Sequence, residues 1–168
     1  MEAALTGHRE AVIDASLVAD AIIGEPARQA LAVRFIALCD TLGVRLIAPQ
    51  GFPGEADTAM FQAIARGRFD ASQLSFLLAA LDTLAVDVAS DVSEAQAVQM
   101  RAREIAVTLN QPGVYDATYA ALAERRGCDF WTADKRFANA AHQQRRAPDG
   151  TLGPALPFVR FIGAFNQK

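Results

Sequence analysis

The sequence is poor in cysteine and has no long hydrophobic run. Its 168 residues include two cysteines, Cys39 and Cys128, and no CxxC pair. The absence of such a pair argues against a zinc knuckle, and both cysteines fall in apolar runs typical of reduced core thiols. No apolar run approaches the roughly 20 residues that a membrane-spanning helix needs. The first ten residues, MEAALTGHRE, lack the apolar region of a signal peptide. We therefore expect a cytoplasmic protein without a membrane span.

Lysine and several common active-site motifs are also scarce or missing. Only Lys135 and Lys168 occur, so arginine supplies nearly all of the positive charge. The formal net charge of −3 gives the whole chain no electrostatic attraction to nucleic acid, and any such binding needs a local basic patch. No GxGxxG motif follows the first predicted strand, which argues against a dinucleotide-binding domain. A GxSxG motif, which would indicate a serine hydrolase, is absent as well.

Apolar residues, in contrast, make up 52% of the chain, which is ample for a packed core. The length predicts one domain over residues 1–168, with residues 1–10 as an N-terminal extension. Short apolar runs typical of strands lie near residues 11, 85, 129 and 159, and helical patterns separate them. Strands that alternate with helices predict an α/β fold with a parallel sheet.

Two aspartates are predicted to lie at the carboxyl ends of strands. Asp14 follows Val12 and Ile13 in a strand that should be central, and Asp134 follows the apolar run 128–132. Open α/β sheets carry their sites at this edge, where the strand order switches. An unpaired carboxylate in a buried strand has a large desolvation cost, so Asp14 needs a partner or a metal ion. For both aspartates, the alternative is a structural role as the cap of the next helix.

Two further acids occupy the first turns of predicted helices. Glu55 opens the helix after the loop 49–54, and Asp116 opens the helix that Gly127 ends. The helix dipole alone would explain acids at these positions. Together with the two strand-end aspartates, however, they form four carboxylates in one predicted cleft. Such a cluster repels itself unless a hard divalent cation, Mg²⁺ or Mn²⁺, lies among its members.

The sequence around these acids resembles the PIN-domain ribonucleases, in particular the VapC-type toxins of bacterial toxin–antitoxin pairs. The matching segments are VIDAS with Asp14, APQGFPGEADTA with Glu55, YDATYAALAERRG with Asp116 and DFWTADKRF with Asp134. They span roughly residues 11–137, and the last two are the more specific. The resemblance implies a three-layer α/β/α PIN-like fold with a central parallel sheet of four or five strands. It also implies metal-dependent endonucleolytic cleavage of RNA.

The resemblance assigns roles to individual residues by matching position. The metal-binding and catalytic residues would be Asp14, Glu55, Asp116 and Asp134, and the metal would be Mg²⁺ or Mn²⁺. Ser16 and Thr132 match positions where a hydroxyl supports the acids. The implied chemistry is phosphodiester hydrolysis, in which the cation lowers the pKa of a bound water and neutralises charge on the scissile phosphate.

Candidate RNA contacts lie close to the last acid in the sequence. Lys135 and Arg136 directly follow Asp134, and Arg145 with Arg146 forms a second basic pair. A solvated surface is the alternative for all four. Two aromatic residues in the same region, Trp131 and Phe137, are candidates for stacking on bases, with core packing as their alternative.

The resemblance also implies protein partners: a small antitoxin that restrains the nuclease, and a second copy of the chain in a homodimer. Two other functions remain open. One is a PIN-like module that holds RNA or a protein without cutting. The other is an RNA-processing nuclease outside a toxin–antitoxin pair.

Overall fold

The computed structural model describes Leu5, residues 7–146 and residues 152–164. Half of the predicted N-terminal extension, residues 1–4 and 6, lies outside the described part of the chain. The strands are β1 (Glu10–Ile13), β2 (Arg45–Ala48), β3 (Val86–Val88), β4 (Phe130–Thr132), β5 (Gln144–Arg146), β6 (Leu152–Pro154) and β7 (Val159–Phe161). The α-helices are α1 (Ala15–Ile23), α2 (Pro26–Leu42), α3 (Phe52–Ala65), α4 (Leu74–Asp82), α5 (Val92–Leu109), α6 (Tyr115–Arg126) and α7 (Lys135–Ala141).

Five parallel strands form the central sheet in the order β3-β2-β1-β4-β7. Helices pack on both faces of this sheet, so the fold has three layers, α/β/α, as predicted. β1 is the middle strand, and its Val12 pairs with Ile47 on one side and with Phe130 on the other. Among the described residues, no helix has both the length and the apolar character needed to cross a membrane.

The local sequence explains why these elements form where they do. Ala11, Val12 and Ile13 of β1 are buried, as expected for a parallel strand that is covered on both faces. Gly43 ends α2 and Gly127 ends α6, each in the left-handed conformation with φ of 67° and 64°. A residue without Cβ adopts this conformation readily, and both helix ends agree with the prediction.

Two helix boundaries differ from the positions predicted from the sequence, and one further pair of strands is present. α3 begins at Phe52 rather than at Glu55, because Pro53 lies in the first turn, where its missing N–H is no loss. α7 ends at Ala141 rather than near residue 144, since the carbonyl of Ala141 accepts a hydrogen bond from the backbone N–H of Leu156. The polar sequence after α7 contributes the antiparallel pair β5 and β6.

Candidate active site

The switch in strand order lies beside β1. The next two strands in the chain, β2 and β3, extend the sheet to one side of β1, whereas β4 and β7 extend it to the other. In α/β sheets the crevice between two such strands, at their carboxyl ends, is the usual place for a site. Asp14 directly follows β1, and Asp134 lies two residues after β4. Both strand-end aspartates therefore flank this crevice.

Asp14 is buried and accepts three hydrogen bonds. Its Oδ1 atom accepts from the Ser16 hydroxyl at 2.8 Å and from the backbone N–H of Leu17 at 2.9 Å, so it caps α1. Its Oδ2 atom accepts from the Thr132 hydroxyl at 2.5 Å. Burial raises the pKa of Asp14 to about 6; the three hydrogen bonds lower it, and the charge of Asp116 raises it. Desolvation therefore outweighs the hydrogen bonds at this carboxylate.

The two hydroxyls also connect the loops that follow β1 and β4. The Ser16 oxygen accepts the backbone N–H of Ala133 at 3.2 Å. The Thr132 oxygen accepts the backbone N–H of Asp134 at 2.8 Å. Each hydroxyl thus donates to Asp14 and accepts an N–H from the segment after β4. These contacts fix the position of Asp14 relative to Asp134.

Asp134 caps α7 through a single oxygen. Its Oδ1 atom accepts from the backbone N–H groups of Arg136 at 2.7 Å and Phe137 at 3.2 Å. Asp134 therefore has the helix-capping role that the sequence analysis gave as its alternative. It leaves the Oδ2 atom available for a further ligand, because a carboxylate offers acceptor positions on both oxygens.

Asp116 is the carboxylate that connects the set electrostatically. It lies half-buried in the first turn of α6, and no side-chain hydrogen bond to it occurs among the described residues. Burial raises the pKa of Asp116, and the charge of Asp134 raises it further. The charge of Asp116 in turn raises the pKa of both Asp14 and Glu55. Asp116 thus lies within electrostatic range of each of the other three predicted acids.

Glu55 reaches this group from the first turn of α3. Its Oε2 atom accepts a 3.1 Å hydrogen bond from the hydroxyl of Tyr119 on α6. Burial raises the pKa of Glu55, the Tyr119 bond lowers it, and the charge of Asp116 raises it. This role of Tyr119 could not be read from the sequence, since the spacing of the residue on α6 indicates only a core position.

The predicted RNA-contacting residues are distributed unevenly. Lys135 and Arg136 are exposed at the start of α7, next to Asp134. Arg145 lies in β5, beyond the opposite end of α7, and is half-buried. The backbone of Arg146 is also in β5, but its side chain lies outside the described part of the structure. Only the first pair is therefore placed beside the acids.

The two candidate stacking residues are core residues. Trp131 is 3% exposed and Phe137 is 1% exposed. Trp131 packs against Phe35 with ring centroids 4.7 Å apart, and Phe137 packs against Phe130 at 5.9 Å. Neither ring can receive a base, so core packing is the correct alternative for both.

Comparison with known proteins supports the fold. The PIN domain family model matches residues 78–143, a segment that contains Asp116 and Asp134 but neither Asp14 nor Glu55. The fold is similar to that of the crystal structure of PAE2754 from Pyrobaculum aerophilum, with a TM-score of 0.58. The two sequences are 20% identical, and the similarity covers 93% of this chain and 91% of the other. No curated protein matches the sequence.

The chemistry of the four acids fits a hydrated divalent cation. Within the described ranges, no three His, Cys, Asp or Glu side chains are grouped closely enough to hold one ion. Four direct carboxylate ligands to a single ion are therefore not present in this arrangement. Mg²⁺ keeps several water ligands and commonly uses one or two carboxylates together with substrate phosphate. Asp116, to which no described side chain donates a hydrogen bond, and the Oδ2 atom of Asp134 suit this mode of binding.

Proposed function

We propose that the protein is a Mg²⁺- or Mn²⁺-dependent endoribonuclease of PIN type, with Asp14, Glu55, Asp116 and Asp134 as its acidic site. The observation that carries the proposal is the position of Asp116. This carboxylate is half-buried, has no hydrogen-bond donor in the part of the chain that the structure describes, and interacts electrostatically with the other three acids. A partly buried charge of this kind requires a proton or a cation. PIN domains are generally nucleases that use divalent metals, which agrees with the family match.

The four acids would have different tasks. Asp116 and the Oδ2 atom of Asp134 would hold the cation, with Glu55 as a further ligand through water. Asp14 would contribute negative charge from a fixed position, since three hydrogen bonds already occupy its oxygens. The bound cation would lower the pKa of a water molecule and neutralise charge on the scissile phosphate.

RNA is the proposed substrate, and α7 supplies the proposed contact. Lys135 and Arg136 are exposed directly beside Asp134, where their charges can neutralise phosphates that flank the cleaved bond. The net charge of the protein is negative, so electrostatic attraction to RNA must come from a local basic patch. These two basic side chains would provide such a patch at the cleft.

We further propose that the chain is a single PIN-like domain and acts in the cytoplasm as the toxin of a toxin–antitoxin pair. Its partners would be a small antitoxin and a second copy of the chain. A short reading frame directly upstream of the gene would support the toxin role, whereas its absence would favour RNA processing. Size-exclusion chromatography with light scattering tests the homodimer.

A cleavage assay tests the central proposal. The purified full chain should cut RNA internally with Mg²⁺ or Mn²⁺ and stop in excess EDTA. Asp116→Asn keeps the shape of the side chain and should reduce cleavage at least 100-fold, the scale on which catalytic groups contribute. Asp57→Asn, on the exposed part of α3, is the matched control and should cleave like the wild type. Cleavage that continues after exhaustive chelation would contradict the proposal.

A second candidate function is a module that binds RNA or a protein without cutting. One observation favours it: Asp14 and Asp134 each cap a helix, so both have a structural reason to be acidic. This candidate predicts RNA binding that is equal in Mg²⁺ and in EDTA, no cleavage products, and a melting temperature unchanged by Mg²⁺. The endoribonuclease predicts the opposite for all three.

A further inference from the structure

We propose that Tyr119 is a positioning residue, whose hydroxyl holds the Glu55 carboxylate in place for the cation. The inference rests on the proposed function and adds to it a residue outside the four acids. It concerns a fifth side chain that contacts the acidic site from within the core. Three features of the structure support it: the contact itself, the immobility of the Tyr119 ring, and the space around the second Glu55 oxygen.

The contact joins two elements that are distant in sequence. The Tyr119 hydroxyl, on α6, donates a 3.1 Å hydrogen bond to Oε2 of Glu55, on α3. The two residues are 64 positions apart. Glu55 is only partly buried in the first turn of its helix, so without this bond its flexible side chain is free to turn toward solvent.

The Tyr119 ring cannot follow such a movement. The residue is fully buried, with 0% exposure. Its ring stacks on that of Phe130 in β4, with centroids 5.7 Å apart and an interplanar angle of 13°. Because closely packed core rings stay in one rotamer, the hydroxyl is a fixed donor.

The other oxygen of Glu55 lies against a glycine. A Cβ atom added to Gly51 would be 3.2 Å from Oε1 of Glu55. Gly51 has φ of −72°, a value open to any residue, so its backbone conformation does not require glycine. The missing side chain instead leaves space for the carboxylate. Tyr119 and Gly51 thus constrain Glu55 from two sides.

The contribution of the Tyr119 hydrogen bond to metal affinity can be measured. Hydrogen bonds that orient metal ligands typically contribute about 10–100-fold to metal affinity or activity. Removal of the Tyr119 hydroxyl should therefore weaken Mn²⁺ binding by about tenfold or more. The side chain keeps its ring in Tyr119→Phe, so the stacking on Phe130 is retained.

The chain offers a matched control for this substitution. Its second tyrosine, Tyr115, begins the same helix and is 70% exposed. Tyr115→Phe removes the same hydroxyl four residues away and should leave Mn²⁺ affinity unchanged. Titration calorimetry with Mn²⁺ on the full chain measures both affinities without any RNA, and thermal melting in EDTA verifies that each variant is folded.

A double-mutant cycle with Glu55→Gln separates positioning from general stabilisation. If Tyr119 acts through the Glu55 carboxylate, Tyr119→Phe should cause much less loss of Mn²⁺ affinity in the Glu55→Gln background than in the wild type. An equal loss in both backgrounds would overturn the inference, as would wild-type affinity in Tyr119→Phe. If Tyr119→Phe does not fold, Gly51→Ala tests the same idea by displacing Oε1, and wild-type affinity in that variant would overturn it.

The same titration distinguishes this inference from the proposed function. Wild-type protein that binds no Mn²⁺ would contradict the metal-dependent function and the positioning role together. Wild-type protein that binds Mn²⁺ as tightly as Tyr119→Phe does would contradict the positioning role alone. Full support requires tight binding by the wild type and Tyr115→Phe, with weaker binding by Tyr119→Phe.

Discussion

Thr132 donates a 2.5 Å hydrogen bond to Asp14 across 118 positions of sequence. The bond joins the ends of β1 and β4, the two strands that flank the switch in strand order. Thr132 is itself buried, with 1% exposure, and also accepts the backbone N–H of Asp134. The acidic site is therefore attached to the rigid centre of the sheet, and changes at this contact should affect both stability and activity.

Thr132→Val should destabilise the protein. Valine has nearly the shape of threonine but lacks the hydroxyl, so an oxygen of Asp14 and the N–H of Asp134 both lose a partner. Each buried polar group left unsatisfied costs about 1–3 kcal/mol. Urea denaturation in EDTA measures the loss. Thr41→Val, where an exposed hydroxyl bonds to the carbonyl of Ala37 in its own helix, should change stability by less than about 0.5 kcal/mol.

Asp14→Asn should change the pH dependence of stability. The pKa of Asp14 is raised from 3.8 to about 6 in the folded protein, above all by burial. The folded state therefore holds the proton more tightly than the unfolded state does. The resulting stabilisation is present in full below pH 3.8 and is lost as the pH rises through about 6. A shift of about two pKa units corresponds to about 3 kcal/mol.

Unfolding free energies in EDTA at several pH values between 4 and 7.5 test this second prediction. Relative to Asp14→Asn, the wild type should lose stability by roughly that amount across the range. Asp57→Asn, at an exposed position on α3, should keep the wild-type curve. Parallel curves for the wild type and Asp14→Asn would show that the Asp14 carboxyl titrates alike in the folded and unfolded states.

Lys135→Ala combined with Arg136→Ala should weaken RNA binding and reduce its salt dependence. Each lost phosphate contact lowers the slope of log affinity against log salt by roughly one, so the pair should lower it by about two. Binding to a short RNA at several salt concentrations, in EDTA to prevent cleavage, gives the slope. Replacement of Arg66 and Arg103 by alanine removes two exposed charges elsewhere and is the control. A slope equal to that of the wild type would show that RNA contacts another surface of the protein.

Gly24→Ala should destabilise the end of α1. A Cβ atom at this position would lie 2.4 Å from the backbone oxygen of Asp20, and backbone atoms in a packed helix have little room to move. Overpacking of this kind costs about 1–3 kcal/mol. Gly54→Ala, in α3 and with no atom within 4 Å of the added Cβ, should instead stabilise by about 0.5–1 kcal/mol. Thermal melting of the two variants compares the cost of overpacking with the gain from helix propensity.

The fold and the position of the acids could be predicted from the sequence because both follow from local patterns. The apolar runs mark the strands, and glycines such as Gly43 and Gly127 mark the helix ends. Asp14 and Asp134 then fall at strand ends by counting along the chain. The antiparallel pair formed by β5 and β6 was not predictable, since Gln144–Arg146 contains no apolar residue.

The contacts within the site required the structure. Periodicity places Tyr119 in the core but does not give the direction of its hydroxyl toward Glu55. The burial of Asp14 was expected from the sequence. Its three hydrogen-bond donors were not, because they come from both sides of the switch in strand order. Whether Trp131 meets solvent or the core was also undecided in the sequence, because a strand exposes its two faces alternately and only packing decides which face is covered.

The place of β1 in the sheet has a consequence for biosynthesis. As the chain leaves the ribosome, β1 can pair with β2 at once, but its other neighbour, β4, and the carboxylates of Asp116 and Asp134 are made much later. Closure of so long a loop is slow and must await the distant segment. The cleft is therefore incomplete until the segment that carries Asp134 has been made.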